Sequence, residues 1–218
     1  MTLKLNGSSS GYTAIDAPAA AGSNTLTLPA DNGSNGEFLK TNGSGVLDWA
    51  TAGNVKYTTA NKQNLNGNAS VEFTVPSNCF RCWFTIKSMS TASSSAKYVQ
   101  LKVGGAYETS SGYSWGASEL EHDQNCSSTQ NGNDGQWIFL KGLEAAGHNI
   151  TGIFDMSEYD DADGDWIYTY TGNVDAGATG IVSSGYKVLG GELQAVKFAS
   201  NSGNFDNGSI KPHFLELV

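Results

Sequence analysis

The sequence predicts an all-β protein in two parts. An N-terminal extended fibre or attachment segment of short strands covers residues 1–53, and a jelly-roll-like β-sandwich covers residues 54–218. Three observations predict this. First, there are 27 glycines against 4 prolines, and many of the glycines follow Asn or Asp: Asn6-Gly7, Asn32-Gly33, Asn42-Gly43, Asn66-Gly67, Asp163-Gly164, Asn207-Gly208. Such pairs supply positive φ at the centre of a tight turn and mark hairpins. Second, apolar residues alternate with polar ones, the period of a strand with one buried face. Third, Leu, Glu and Lys do not recur at helical spacing; the one short helix candidate, 142–147, is bounded by glycine.

Taken in order, the first part offers only small alternating pairs, Leu3/Leu5, Leu26/Leu28 and Leu47/Trp49, joined by Gly-Ser-Asn-Ala stretches. So few large apolar side chains cannot offset a backbone ordering cost of roughly 1–2 kcal/mol per residue. The segment is therefore expected to bury its faces against copies of itself, as a fibre shaft does. From Val55 the strand signals strengthen. Val71, Phe73 and Val75 alternate up to Pro76. Phe80, Cys82, Phe84 and Ile86 share one side, with Arg81, Trp83, Thr85 and Lys87 on the other. Val99, Leu101 and Val103 follow, then 136–141, 150–156, 165–171, 192–199 and 209–217. Eight or nine strands in that length suit a two-sheet sandwich.

Charge and composition exclude several classes. Only 15% of residues are charged and 39% are hydrophobic, and no apolar run reaches the roughly 18–20 residues of a membrane helix, so membrane insertion is not expected. The N-terminus shows no basic segment followed by an apolar one, so no secretory signal is expected. A net charge of −9 argues against a nucleic-acid partner. From Gly104 to Asp165 twelve acidic residues face one base, Lys141; these read as solvated loops, or as a cation-binding or receptor-facing surface. Three cysteines, with Cys79 and Cys82 as Cys-x-x-Cys and Cys126 alone, do not form a disulfide framework.

The stretch from Gly11 through Ala14-Ile15-Asp16-Ala17-Pro18 to Leu26-Thr27-Leu28-Pro29, followed by Asn35-Gly36-Glu37-Phe38-Leu39-Lys40 and Val46-Leu47-Asp48-Trp49, resembles the N-terminal segment of tail fibre and related virion proteins of marine, cyanophage-like tailed bacteriophages. Val99-Gln100-Leu101-Lys102-Val103-Gly104-Gly105 with Glu108–Tyr113, then 193–198 and Phe205-Asp206-Asn207-Gly208-Ser209-Ile210, resemble the β-rich distal domain of those proteins. Residues 114–149 carry no part of the resemblance. It implies a homotrimeric virion fibre located on the tail, attached to other virion proteins through the N-terminal segment and recognising a host surface glycan or protein at its distal end. A particle-anchoring domain ahead of the segment is not recognisable, so a head-fibre or capsid-decorating protein that stabilises the particle is the alternative expectation. No cofactor is implied.

Catalysis is not expected. Hydrolysis needs a nucleophile with its base or paired carboxylates. There is no Gly-x-Ser-x-Gly motif; His122, His148 and His213 stand in unrelated contexts, and Glu119, Glu121 and Asp123 alternate in a polar stretch. Asp161, Asp163 and Asp165 offer clustered oxygen ligands for a hard cation, yet they miss the EF-hand spacing and read equally as an acidic turn before a strand. Cys79, Cys82, Cys126 and His122 contain the ligand types of a zinc site. On a single strand, however, Cys79 and Cys82 are expected to point to opposite faces, which favours buried structural cysteines. Tyr107, Tyr113, Trp115 and Tyr159 fall in or beside the acidic loops among amide-bearing neighbours, a composition suited to sugar stacking. They are the expected receptor contacts; Trp137 instead reads as the opening of a core strand.

Overall fold

The structure, a computed structural model, describes residues 3–53, 55–120, 126–140, 147–160, 164–175 and 179–218. It is all-β, with no helix among the described residues, and divides into two compact units, Met1–Asn54 and Val55–Val218.

The first unit consists of two hairpins. Strands β1 (Leu3–Asn6) and β2 (Tyr12–Ile15) pair antiparallel with Leu3 opposite Ile15, and β3 (Glu37–Thr41) pairs with β4 (Leu47–Thr51) with Leu39 opposite Trp49. A parallel bridge joins Thr27 to Val46. The Trp49 indole donates to the Asp31 carbonyl at 3.1 Å and lies flat on Gly33, where a Cβ would come within 2.6 Å of the ring. Gly33 also has φ +65°, so both sterics and backbone demand glycine there. This is local packing around one side chain. No described residue of the unit is buried.

The second unit contains β5 (Val55–Thr59), β6 (Gln63–Asn64), β7 (Ser70–Thr74), β8 (Cys79–Thr91), β9 (Lys97–Val103), β10 (Ala106–Tyr107), β11 (Tyr113–Leu120), β12 (Cys126–Asp134), β13 (Trp137–Leu140), β14 (Ile150–Asp160), β15 (Asp165–Val174), β16 (Thr179–Val188), β17 (Ala195–Ser200) and β18 (Phe205–Leu217). They form a smaller sheet ordered β10-β9-β17-β7, with β13 also on β9. The larger sheet runs β12-β11-β16-β15-β14-β8-β18-β5, with β6 also on β18. Phe73 of β7 meets Phe84 of β8 at 5.5 Å, Phe198 of β17 meets Phe154 of β14 at 5.4 Å, and Phe139 of β13 meets Tyr170 of β15 at 5.1 Å. The two sheets thus pack face to face in a sandwich-like arrangement around an aromatic core.

Pro212 lies inside the large sheet, where a proline normally breaks a ladder. It is tolerated because the neighbouring edge passes there from β5, which ends its pairing at His213, to β6, which resumes at Ile210. The missing N–H falls at that gap, and the Thr59 hydroxyl donates to the Pro212 carbonyl at 2.8 Å.

Sequence alternation locates β7, β8, β9, β13, β14, β15, β17 and β18, but it does not signal β11, β12 or β16. In β16 the reason is visible. Its inward positions are Ile181, Ser183, Gly185 and Lys187, because the tyrosines of β15 already occupy the space beneath. A Cβ on Gly185 would collide with the Tyr168 ring and the Ser114 carbonyl, and one on Gly172 would collide with the Tyr170 hydroxyl. The short helix candidate lies outside the described residues except for Gly147.

Phe154 is fully buried, stacks on Tyr168 at 4.7 Å and touches Phe139 and Phe198. Phe154→Ala is expected to lower the unfolding free energy by about 3–5 kcal/mol in guanidinium titration of the full chain. Gly185→Ala is expected to destabilise as well, reversing the small gain that Gly→Ala gives at unhindered sites.

Candidate recognition surfaces

The expected receptor contacts divide into two groups. Tyr113 and Trp115 are corrected to core residues. Tyr113 is fully buried at the start of β11; its hydroxyl accepts from the Leu101 N–H at 3.0 Å and donates to the Glu108 carbonyl at 3.2 Å. Its ring meets Trp137 edge-on, and the Lys187 ammonium sits 4.9 Å from the ring centroid. That ammonium also pairs with Glu108 at 3.7 Å. Burial raises the Tyr113 phenol pKa, so the hydroxyl stays protonated as a donor. Trp115 is 4% exposed and shares the inward side with Gly185; its indole N–H reaches the Asp134 carboxylate at 2.8 Å. Both side chains face inward because β11 is a strand of the large sheet, where a loop was expected. Trp137 is in the core, its N–H on the Tyr186 carbonyl.

Tyr107 and Tyr159 are accessible. Tyr159, at the end of β14, is 76% exposed. Tyr107 lies half-buried on the outer face of the small sheet beside Glu72, whose carboxylate accepts from its hydroxyl. Lys197 stands 4.0 Å over the ring and Lys102 5.6 Å, and Lys102 also pairs with Glu72 at 3.5 Å. Desolvation, reinforced by Glu72, raises the Tyr107 pKa, and desolvation lowers that of Lys197. This is a compact charged cluster around one aromatic ring.

A second cluster joins residues far apart in the chain. Trp83 of β8 and His213 of β18 stand directly opposite each other across the ladder, with centroids 5.1 Å apart and planes 5° from parallel. Tyr57 of β5 completes the group at 5.8 Å and 6.0 Å. The Tyr57 hydroxyl lies 2.6 Å from His213 Nδ1, and Thr85 Oγ1 lies 3.4 Å from Nε2. A neutral imidazole accepting at Nδ1 carries its proton on Nε2, toward Thr85. Beside the rings, Arg81 forks onto Asp155 at 3.1 and 2.6 Å. The outward parity of Arg81, Trp83 and Thr85 is legible in the alternation of β8. The partners are not, since Tyr57, Asp155 and His213 arrive from three other strands, brought together only by the sheet order.

Cys79 and Cys82 do not point to opposite faces. A bulge at Phe80 of β8 sets Cys79 opposite Glu216 and Arg81 opposite Leu215, adjacent residues of β18, and both cysteines are buried. A hydrogen bond from the Cys82 thiol lowers the Cys79 pKa, and burial raises that of Cys82. Cys126 lies in β12, and His122 is outside the described residues. Among the described residues, no three His, Cys, Asp or Glu side chains converge to hold a metal. Of the acidic trio, Asp161 and Asp163 lie outside the described residues, and Asp165 opens β15. A recess of about 410 Å³ is lined by Asn78, Cys79, Glu158, Trp166 and Glu192. The Glu192 carboxylate there accepts from the Asn78 N–H at 3.2 Å.

His213 yields a pH prediction. Burial, then Lys211, holds its pKa below the usual imidazole value, while Tyr57, Thr85 and Trp83 face it from β5 and β8. Between the folded value and about 6.5 the unfolded chain binds more protons, so stability rises with pH there. The contribution is complete above about pH 6.5 and is lost as pH falls through the folded pKa. The melting temperature is expected to drop from pH 7.5 toward pH 5, and His213→Gln should flatten that slope.

No protein family, curated protein or solved structure matches the chain.

Proposed function

We propose that this chain is a non-catalytic structural subunit of a tailed-phage virion, a homotrimeric fibre-type protein that mediates adsorption to the host surface. Its second unit acts as a jelly-roll-like distal domain, and Met1–Asn54 acts as the shaft and attachment segment. The observation that carries this reading is the state of the first unit. Its large apolar side chains, Leu3, Leu5, Tyr12, Ile15, Leu26, Leu28, Phe38, Leu39 and Val46, are 44–69% exposed. In the first hairpin Leu3 and Leu5 fall on the same side as Ile15, an apolar face with nothing of its own unit to cover it. Ordered hairpins with uncovered apolar faces are explained by partner chains, and the residues forming them are those that resemble the phage segment. The second unit adds outward aromatic and charged clusters suited to weak surface contact.

The purified full chain is expected to sediment at about 69 kDa, three copies of 22.9 kDa. Removal of residues 1–53 is expected to shift it toward smaller species. A 23 kDa species at micromolar concentration would defeat the reading. Density on the tail in particle images distinguishes a tail fibre from a capsid decoration.

A further inference from the structure

The outer face of the large sheet has an unusual composition from β14 to β11. One row across the strands reads Ser118, Val182, Thr171, Ile153 and Thr85, and another contains Ser114, Tyr186, Ile167 and Ser157. Ile153, Ile167, Val182, Tyr186 and Val188 are 40–48% exposed, all on this one side. Among the described residues, the outward charges over these strands are Asp165 at a strand end and Asp155, neutralised by Arg81 of β8 at 2.6 Å. A soluble surface normally has roughly 25–35% charged residues, and this chain has a net charge of −9. The outer face of the small sheet follows the usual pattern, with Glu72, Lys102 and Lys197 around Tyr107.

We propose that this face, centred on Val182, Ile167 and Tyr186, docks against a second copy of the chain. Charge argues for that occupant. Copies of a strongly acidic protein repel one another over most of their surface, and a neutral face is where they can approach closely. It also offers no field to select an oppositely charged foreign partner. Size argues the same way. Strands of 10 residues at ~3.3 Å per residue, four abreast at ~4.8 Å, present roughly 600 Å². That is somewhat below the ~800 Å² that one partner contributes to a standard interface, as suits a contact supported by a second interface through the first units. β-Branched and hydroxyl side chains suit such a contact, since few rotamers are frozen and the hydroxyls can pair with those of the copy. The inference deepens the oligomeric reading above, because chains held together by their first units meet at high effective concentration.

The test uses the full chain. Hydroxyl-radical footprinting of the wild-type assembly is expected to label Tyr186 roughly fivefold or more below the rate its 41% exposure permits. Tyr107, on the opposite face of the sandwich, should react at the rate its own exposure sets. A Val182→Glu, Ile167→Glu double variant is expected to raise the dissociation constant at least ~tenfold by burying unpaired charge. If that variant fails to fold, the wild-type footprint decides alone. An intact assembly with Tyr186 fully reactive overturns this face and leaves the oligomeric fibre standing. A chain that stays monomeric overturns the oligomeric reading itself. Protection of Tyr186 that appears only on adding bacterial surface polysaccharide assigns the face to a saccharide and overturns self-docking.

Discussion

The inward parity of β15 governs both faces of the large sheet. Trp166, Tyr168 and Tyr170 point into the sandwich and are buried. Rings of that size reach over the neighbouring strands, so the inward positions beside them must be small: Gly152 on β14, Ser183 and Gly185 on β16, and Gly172 on β15 itself. Tyr168 then stacks on Phe154 at 4.7 Å, and Tyr170 meets Phe139 at 5.1 Å, tying β15 through β13 and β14 to the opposite sheet. Because two tyrosines fill space that several aliphatic side chains would otherwise share, β16 places its Val182 and Val188 outside. The core geometry and the outer apolar face are two results of one packing choice.

The two units stand in contrast. In the second, several of the polar groups carried inward are matched: the Tyr113 hydroxyl serves two backbone groups, the Trp115 and Trp137 indoles each find an oxygen, and Lys187 reaches Glu108 and the Ser111 carbonyl, although the Trp166 indole N–H is buried without an acceptor. Satisfied buried polar groups and a shared aromatic core specify one arrangement. In the first, order comes from turn chemistry and ladders. Asn42 caps its own loop through Ser44 N–H at 2.8 Å, and the indole of Trp49 covers Gly33. Turns and ladders define a hairpin, but an isolated hairpin is marginal in water, and apolar burial of the kind found in the second unit is absent among the described residues.

Sequence made the all-β class legible because turn pairs and period-two alternation are local signals. β7 to β9, β14, β15, β17 and β18 each carry their own alternation. β11 and β16 do not; in β16, Gly185 and Ser183 are there to accommodate the rings of β15, a tertiary demand with no local trace. The same limit explains Tyr113 and Trp115. Their amide-rich, acidic neighbourhood resembles a surface loop, whereas their pairing with β16 settles which way they face. The Cys79–Cys82 pair misleads differently. Strict alternation separates them, and a bulge within β8 reunites them. The Trp83–His213–Tyr57 cluster is half legible, through outward parity in β8 alone.

The outer face of the large sheet is itself divided, and the division bears on how one sandwich could serve both assembly and adhesion. Its β11–β14 half is aliphatic and hydroxylated. Its β8–β5 half holds the ring cluster and, at its boundary, the Arg81–Asp155 fork. Burying the first half against a copy costs little desolvation, because hydroxyls find partners readily. Burying the second would strip water from an ion pair and a hydrogen-bonded imidazole, a cost that such pairs rarely recover. The physics therefore favours an assembly that covers the neutral half and leaves the ring cluster in water. With the Tyr107–Glu72–Lys102 group on the other sheet also solvent-facing, both ring clusters lie away from the face proposed to dock a second copy.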